Sequence, residues 1–299
     1  MSRTMPLQIL ELGKQFRPGT SHVYPPFKNG LYMEEYVYNY LSTRKETIHT
    51  THVYLPVFWT NLQNHPAFSS MKEKYQILLD NALKSMPADT RYFTIVQHDD
   101  GTQLVLPKDT ILFGACTGTI PIPLIYEDIN HTLLKSPSQE KILLASFVGT
   151  STTHPIRKKM ISYLPTTNDI VCYGRDKWES TVPDNDATTF INLTSRSKFC
   201  LAPRGYGRSS FRFFEAMQLG IIPVYIWDDI EWLPYKDQLD YTTFSLSIHR
   251  SDLPRIEHIL RSVSEETYQT MVDTLMHVRQ SFTLGGLCEY IIQRITNHG

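Results

Sequence analysis

The feature that most constrains the fold of this chain is an apolar segment that breaks into a polar loop and then resumes as a helix. The pattern predicts a strand over residues 199–201 and a helix over residues 209–219. The loop and the helix start contain two glycines, two arginines and two serines: Gly205, Gly207, Arg204, Arg208, Ser209 and Ser210. A strand, a glycine-containing loop and a helix in this order are typical of α/β folds with a mostly parallel sheet.

This loop also has the composition of an anion-binding site. Gly205 and Gly207 allow backbone amides to approach a ligand, and a helix start offers unpaired N–H groups. Arginine can donate two parallel hydrogen bonds to phosphate oxygens. The loop matches neither GxxxxGK[ST] nor GxGxxG, which disfavours an ATPase P-loop and a dinucleotide fingerprint. The predicted ligand at the helix start is therefore a pyrophosphate group.

Glu215 lies three residues after Arg212, about one helical turn deeper than the predicted phosphate position. A carboxylate at this depth can accept hydrogen bonds from two vicinal ribose hydroxyls. The alternative is an ion pair between Arg212 and Glu215 on the protein surface, which contributes little to stability. The apolar neighbours from Phe213 to Met217 favour the ribose interpretation.

Strands and helices alternate through the rest of the chain. Strands are predicted over residues 52–59, 92–97, 110–115, 142–147, 170–173, 221–226 and 244–248, and helices over 30–41, 69–84, 157–164, 253–264, 265–282 and 286–296. Proline-rich residues 120–124 and polar residues 131–139 indicate a crossover or a linker. We therefore expect a domain of residues 1–136, a second of residues 137–282 and a terminal helix within 283–299.

A polar turn, Gln97-His98-Asp99-Asp100-Gly101, directly follows the predicted strand 92–97. Polar side chains at the carboxyl end of a strand lie where α/β proteins bind their ligands.

The order of these residues resembles a known family, the exostosin-like glycosyltransferases of family 47. The matching motifs are residues 197–205, 210–216 and 220–224, Asp228, Leu233-Pro234-Tyr235, the His98-Asp99 turn, and Phe147-Val148-Gly149 followed by Arg157. Together they cover roughly residues 90–260. The chain is similar in particular to the soluble versions encoded by large algal (chlorella) viruses.

The resemblance implies a GT-B fold, in which two Rossmann-like domains face a cleft and a C-terminal helix crosses back to the first domain. It implies that the first domain binds the acceptor and the second the sugar nucleotide. It assigns the diphosphate to Arg157, Arg212, Ser209 and Ser210, with Arg204 as a weaker candidate, and the ribose to Glu215. Gly149 and Gly205 complete the expected nucleotide site.

The activity implied by the resemblance is inverting transfer of a sugar from a UDP sugar to a hydroxyl of an oligosaccharide or glycoprotein acceptor. UDP-xylose is the preferred donor, with UDP-galactose and UDP-glucuronic acid left open. Such a fold stabilises the leaving diphosphate with helix dipoles and cations, so a divalent metal is not expected to be essential.

Inverting transfer needs a base for the acceptor hydroxyl. Asp99 or Asp100 is the expected base, beside His98. The alternative, in which Asp99 caps the next segment and His98 is structural, stays open.

Charge and hydropathy restrict the partners. A formal net charge of -1 and a pI near 6.8 give no basis for expecting a nucleic acid. The sequence has no run of about 20 apolar residues, so we expect no membrane anchor and a cytoplasmic location. A non-catalytic nucleotide-sugar-binding module is the main alternative function. A dinucleotide oxidoreductase is disfavoured, because no glycine-rich turn follows an early strand.

Overall fold

The computed structural model of the protein describes residues 4–19, 30–164, 167–179 and 183–297. They form two units. The first contains residues 4–19, Leu31–Ile122 and 284–297, and the second contains the described part of Pro123–Thr283.

The first unit is built on a parallel sheet of five strands in the order β2-β4-β5-β6-β7. The strands of the first unit are β1 (Met5–Pro6), β2 (Gln8–Ile9), β3 (His49–Thr50), β4 (His52–Tyr54), β5 (Arg91–Val96), β6 (Ile111–Gly114) and β7 (Ile120–Pro121). Strands β1 and β3 lie outside the five-stranded sheet and form a separate antiparallel pair. Its helices before residue 122 are α1 (Met33–Arg44), α2 (Trp59–Gln63) and α3 (Phe68–Lys84).

The predicted strand over residues 52–59 is shorter than expected, because β4 ends at Tyr54 and α2 begins at Trp59. The Trp59 side chain is fully buried, and its indole N–H donates to the Thr94 hydroxyl at 2.9 Å. That hydroxyl donates in turn to the Leu55 carbonyl at 2.9 Å. The indole is therefore part of the core of this unit, and its one polar group is satisfied.

The second unit holds another parallel sheet, in the order β12-β11-β10-β8-β9. Its elements are β8 (Leu143–Thr150), α4 (Pro155–Tyr163), β9 (Ile170–Arg175), α5 (Asp184–Ser195), β10 (Ser197–Pro203), α6 (Phe211–Gln218), β11 (Ile222–Trp227), β12 (Leu246–His249), α7 (Ile256–Ser262) and α8 (Glu265–Val278). The central strands β10 and β11 are continuous apolar runs, as expected for strands covered on both faces. Helix α5 was not predicted from the sequence.

The connection from α6 to β11 depends on Gly220, which has a φ of 74° and follows the helix end. Its N–H donates to the Met217 carbonyl at 3.0 Å, which satisfies one of the last carbonyls of the helix. The chain then reverses within a few residues, so that β11 pairs in parallel with β10.

The units divide between Ile122 and Pro123, earlier than the expected boundary after residue 136. The reason is that the predicted linker packs on the second unit. Leu133 is buried in an apolar cluster with Val148 and Ala216.

The last helix, α9 (Leu284–Asn297), belongs to the first unit. The Thr50 hydroxyl donates to the Ile295 carbonyl at 2.6 Å, and the Tyr40 hydroxyl donates to Glu289. The expected fold class, with two Rossmann-like α/β units and a C-terminal helix that returns to the first, is confirmed. Within the described ranges, no helix combines the length and the apolar character that crossing a bilayer requires.

Candidate functional site

The predicted nucleotide residues meet at the carboxyl edge of the sheet in the second unit. Four neighbouring parallel strands, β8, β10, β11 and β12, end there at Thr150, Pro203, Trp227 and His249. In doubly wound sheets this edge is where ligands bind.

The loop after β10 is held closed by backbone hydrogen bonds. The Arg204 N–H donates to the Ile226 carbonyl at 3.0 Å, and the Gly205 N–H donates to the Ser209 carbonyl at 3.2 Å. Helix α6 follows, with Ser210 in extended conformation at its N-cap and no side chain capping it. The Ser210 side chain therefore accepts no hydrogen bond from the first N–H groups of α6, and Ser209 and Ser210 directly precede the helix.

Three buried polar atoms at this loop have no hydrogen-bond partner among the described residues: Thr153 Oγ1, Arg204 Nε and Ser210 Oγ. Thr153 lies beside the loop, since a Cβ added to Gly205 would be 3.9 Å from its hydroxyl. Buried polar groups are almost always paired, so this cluster indicates that a polar ligand belongs here.

Arg157 stabilises the loop after β10. Its guanidinium is buried and donates to three carbonyl oxygens, from Nη1 to Thr150 at 2.9 Å, from Nη2 to Pro203 at 3.0 Å and from Nε to Arg204 at 2.9 Å. These bonds tie the ends of β8 and β10 together. Gly149 lies at the same point, where an added Cβ would be 3.6 Å from Arg157 Nη1. In this structure Arg157 supports the loop, and its predicted contact with a diphosphate stays a prediction.

Arg204 is paired with two carboxylates that follow β11. Its Nη1 lies 2.8 Å from Asp228 Oδ1 and 2.7 Å from Asp229 Oδ1, and its Nη2 donates to the Tyr206 carbonyl at 3.1 Å. Because the two aspartates balance its charge, the structure favours Arg204 less for the predicted phosphate contact than it favours Arg212, and both contacts stay predictions.

Arg212 and Glu215 form an ion pair in the first turns of α6, and the carboxylate is only 4% exposed. Arg212 Nε donates to the Val148 carbonyl at 2.6 Å, and its guanidinium lies 4.3 Å above the Phe190 ring. Its Nη2 makes no hydrogen bond within the described part of the chain, so this nitrogen is available to a ligand. The burial of Glu215 argues against the alternative of a surface ion pair.

A second donor holds the other oxygen of Glu215. The Tyr126 hydroxyl donates to Glu215 Oε1 at 2.6 Å, and the Tyr126 ring packs on Phe211 with centroids 5.7 Å apart. Burial, and then the neighbouring Glu215 carboxylate, hold the pKa of Tyr126 well above its usual range, so the hydroxyl remains a donor at neutral pH. Tyr126 lies between the two segments predicted as a crossover or linker, and the sequence did not identify it as a site residue.

The turn that carries the expected base lies in the first unit, at the carboxyl end of β5. The Gly101 N–H donates to the His98 carbonyl at 3.1 Å, and His98 Nδ1 accepts from the Asp100 N–H at 3.2 Å. Asp99 and Asp100 are exposed, and the Cys116 thiol donates to Asp99 at 3.3 Å. Burial lowers the pKa of His98 although both aspartates raise it, so His98 is neutral at pH 7.

A buried carboxylate under this turn was also missed. Glu34, in the first turn of α1, accepts from the Thr60 N–H at 2.9 Å, the Thr60 hydroxyl at 3.0 Å and the Gln97 N–H at 2.8 Å. Burial raises its pKa to about 7, and the hydrogen bonds from Gln97 and Thr60 oppose that shift. The available sequence signal was its helical spacing from the apolar residues Val37 and Leu41.

Across the described ranges, no group of three or more His, Cys, Asp or Glu side chains is placed to hold a metal ion. The donors that the structure offers near the helix start are hydroxyls, backbone N–H groups and guanidinium groups, which suit an anion.

Comparison with known proteins assigns a family to this geometry. The Exostosin GT47 domain model matches residues 88–263. The chain is 40% identical over 95 residues to a probable glycosyltransferase of Arabidopsis thaliana, an alignment that covers 32% of this chain and 20% of that protein. It is 25% identical over 187 residues to an Exostosin-1 homolog of Caenorhabditis elegans, covering 54% and 48%.

A third relative is a probable beta-1,4-xylosyltransferase of Arabidopsis thaliana, which is 37% identical over 79 residues, covering 26% of this chain and 19% of that protein. The chain spans less than half the length of each of these curated relatives.

Proposed function

Because the chain belongs to the Exostosin GT47 family, we propose that it is an inverting glycosyltransferase that moves a sugar from a UDP sugar to a hydroxyl of a glycan acceptor. The family assignment rests on a domain match over more than half of the chain. The donor, the acceptor and the stereochemistry are part of the proposal.

The observation that carries the proposal is the uncapped start of α6 with unpartnered donors around it. The Ser210 and Thr153 hydroxyls are buried without partners among the described residues, and Arg212 Nη2 is free of hydrogen bonds to them. A diphosphate bound here would satisfy these donors and would meet the positive end of the helix dipole. The Glu215 carboxylate, about one turn deeper, is the proposed acceptor for the ribose hydroxyls.

The proposed chemistry is a single displacement at the anomeric carbon of the donor sugar. Asp99 or Asp100 takes the proton of the acceptor hydroxyl, its oxygen forms a bond to the anomeric carbon, and the bond from that carbon to the diphosphate oxygen breaks. Attack opposite the leaving group inverts the anomeric centre. The negative charge that develops on the diphosphate is stabilised by Arg212 and by the helix start.

The proposed donor sugar is xylose, in keeping with the similarity to a probable xylosyltransferase. Galactose and glucuronic acid are the competing donors. The proposed reaction needs no divalent metal, because the stabilising charges come from the chain itself.

Isothermal titration with UDP tests the nucleotide site, and a mass-spectrometric screen of UDP-sugar hydrolysis, with and without EDTA, tests the donor and the metal requirement. We expect micromolar UDP affinity, which Glu215→Ala should weaken. A native chain that binds neither UDP nor any UDP sugar refutes the proposal.

The same screen distinguishes an enzyme from a non-catalytic nucleotide-sugar-binding module. Such a module would bind UDP but release no sugar, and a double variant, Asp99→Asn with Asp100→Asn, would behave like the native chain. In an enzyme this double variant keeps UDP affinity and loses turnover, because it removes the proposed base and leaves the nucleotide site intact.

A further inference from the structure

Tyr126 connects the segment after residue 122 to the first turns of helix α6. Its hydroxyl donates to Glu215 Oε1 at 2.6 Å, and its ring packs on Phe211, the first residue of the helix. The Tyr126 side chain therefore contacts α6 at two residues on the same side of the nucleotide loop.

The segment around Tyr126 is itself anchored. The Leu133 N–H donates to Asp128 Oδ2 at 3.0 Å, and Leu133 is buried against the cluster that includes Cys200 and Ala216. The chain also passes close to Gly30, where an added Cβ would lie 2.4 Å from the Glu127 carbonyl oxygen. These contacts hold the backbone of the residues that directly follow Tyr126.

The Glu215 carboxylate is consequently held by one donor on each oxygen. Arg212 Nη1 binds Oε2 and the Tyr126 hydroxyl binds Oε1. Each carboxylate oxygen has two lone pairs, so each keeps one acceptor site for a further hydroxyl. Without the Tyr126 hydroxyl, only Arg212 Nη1 holds the carboxylate, so the Glu215 side chain can turn about its last bond and no longer presents a fixed acceptor geometry.

We propose that Tyr126 is a positioning residue that orients Glu215 for the ribose of the donor nucleotide. This inference rests on the proposed function. Its consequence is that Tyr126 controls how strongly the site distinguishes a ribonucleotide from a deoxyribonucleotide, because only the ribose has the vicinal diol that Glu215 would accept.

The test compares UDP, dUDP and inorganic pyrophosphate by isothermal titration against the native chain and Tyr126→Phe. Phenylalanine keeps the ring contact with Phe211 and removes only the hydroxyl. We expect the native chain to prefer UDP over dUDP by about tenfold, the scale of one hydrogen bond to a charged group. In Tyr126→Phe this preference should fall below about threefold, while the affinity for pyrophosphate changes by less than about twofold.

Tyr173→Phe is the matched control, since it removes a hydroxyl from an exposed tyrosine on β9. It should retain the native preference for UDP. Glu215→Asp is the second variant if Tyr126→Phe does not fold, because the shorter side chain withdraws from the Tyr126 hydroxyl and keeps its charge. It should lose the preference in the same way.

The outcomes separate the inference from the function on which it rests. A native chain that does not bind UDP refutes the proposed function. A native chain that binds UDP and dUDP equally, or a folded Tyr126→Phe variant with the full native preference, refutes the role of Tyr126 and leaves the proposed function standing. A general loss of affinity for all three ligands in Tyr126→Phe also refutes it, because a residue that only supports the fold would act on pyrophosphate as well.

Discussion

Replacing Glu34 with glutamine should change how the stability of the first unit depends on pH. Burial raises the pKa of Glu34 from 4.5 to about 7. Between pH 4.5 and about pH 7 the folded state binds the proton of the Glu34 carboxyl more tightly than the unfolded state does. The free energy of unfolding contributed by Glu34 is therefore fully present below pH 4.5 and is lost as the pH rises through 7.

The size of this change in unfolding free energy follows from the rise in the pKa of Glu34. At 1.36 kcal/mol for each pKa unit, a rise from 4.5 to about 7 corresponds to roughly 3 kcal/mol of unfolding free energy. Glutamine has no proton to lose, so Glu34→Gln removes this dependence. It also adds a constant cost, about 1–3 kcal/mol, because its NH₂ group faces the N–H donors of Thr60 and Gln97.

The measurement is urea unfolding of the native chain and of Glu34→Gln between pH 4.5 and 8, followed by hydrogen exchange in peptides from residues 91–101. The unfolding free energy of the native chain minus that of Glu34→Gln should fall by roughly 3 kcal/mol across this range, from a positive value at pH 4.5 to zero or below at pH 8. Glu73→Gln, a substitution of an exposed carboxylate on α3, is the control and should show no such trend. A difference that stays constant with pH would refute the reasoning.

Three further substitutions test the loop and its helix. Arg157→Lys should lower the melting temperature in calorimetry, because lysine cannot make most of the three hydrogen bonds that Arg157 donates to carbonyl oxygens. The expected loss of unfolding free energy is about 3 kcal/mol. An unchanged melting temperature would show that Arg157 does not stabilise the loop. Gly220→Ala should lower the unfolding free energy in urea by about 1 kcal/mol, because the φ of Gly220 is 74°. Gly19→Ala should leave the unfolding free energy unchanged, because a Cβ added to Gly19 has no neighbour within 4 Å among the described residues. Arg212→Lys should weaken UDP binding about tenfold in titration calorimetry, because lysine lacks the planar fork; native affinity would exclude Arg212 from the phosphate site.

Much of the second unit could be predicted from sequence, because its signals are local. Strand β10, the loop and helix α6 follow one another within 199–219, where an apolar run, glycines and a helical pattern mark each change. Arg212 and Glu215 were identified by their spacing, which places them on one face of the helix. Here the local pattern and the tertiary structure agree.

The residues that the sequence missed are defined by partners far along the chain. Tyr126 is separated from Glu215 by 89 residues, and Glu34 from Gln97 by 63. No periodicity links such positions, so Tyr126 was given no role and Glu34 was placed only within the predicted helix over residues 30–41. The hydrogen bonds by which Arg157 supports the loop were missed for a similar reason, since its acceptors are backbone carbonyl oxygens, which a sequence does not distinguish. Its contact with a diphosphate stays a prediction.

The return of α9 to the first unit affects the order in which the protein can fold during synthesis. Residues 123–283 are, in topological terms, an insertion between two parts of the first unit. The ribosome releases all of this insertion before it releases α9, so the second unit can fold first, and the first unit is complete only when α9 has been released. Growth of the nascent chain from the N-terminus therefore does not set the order of folding.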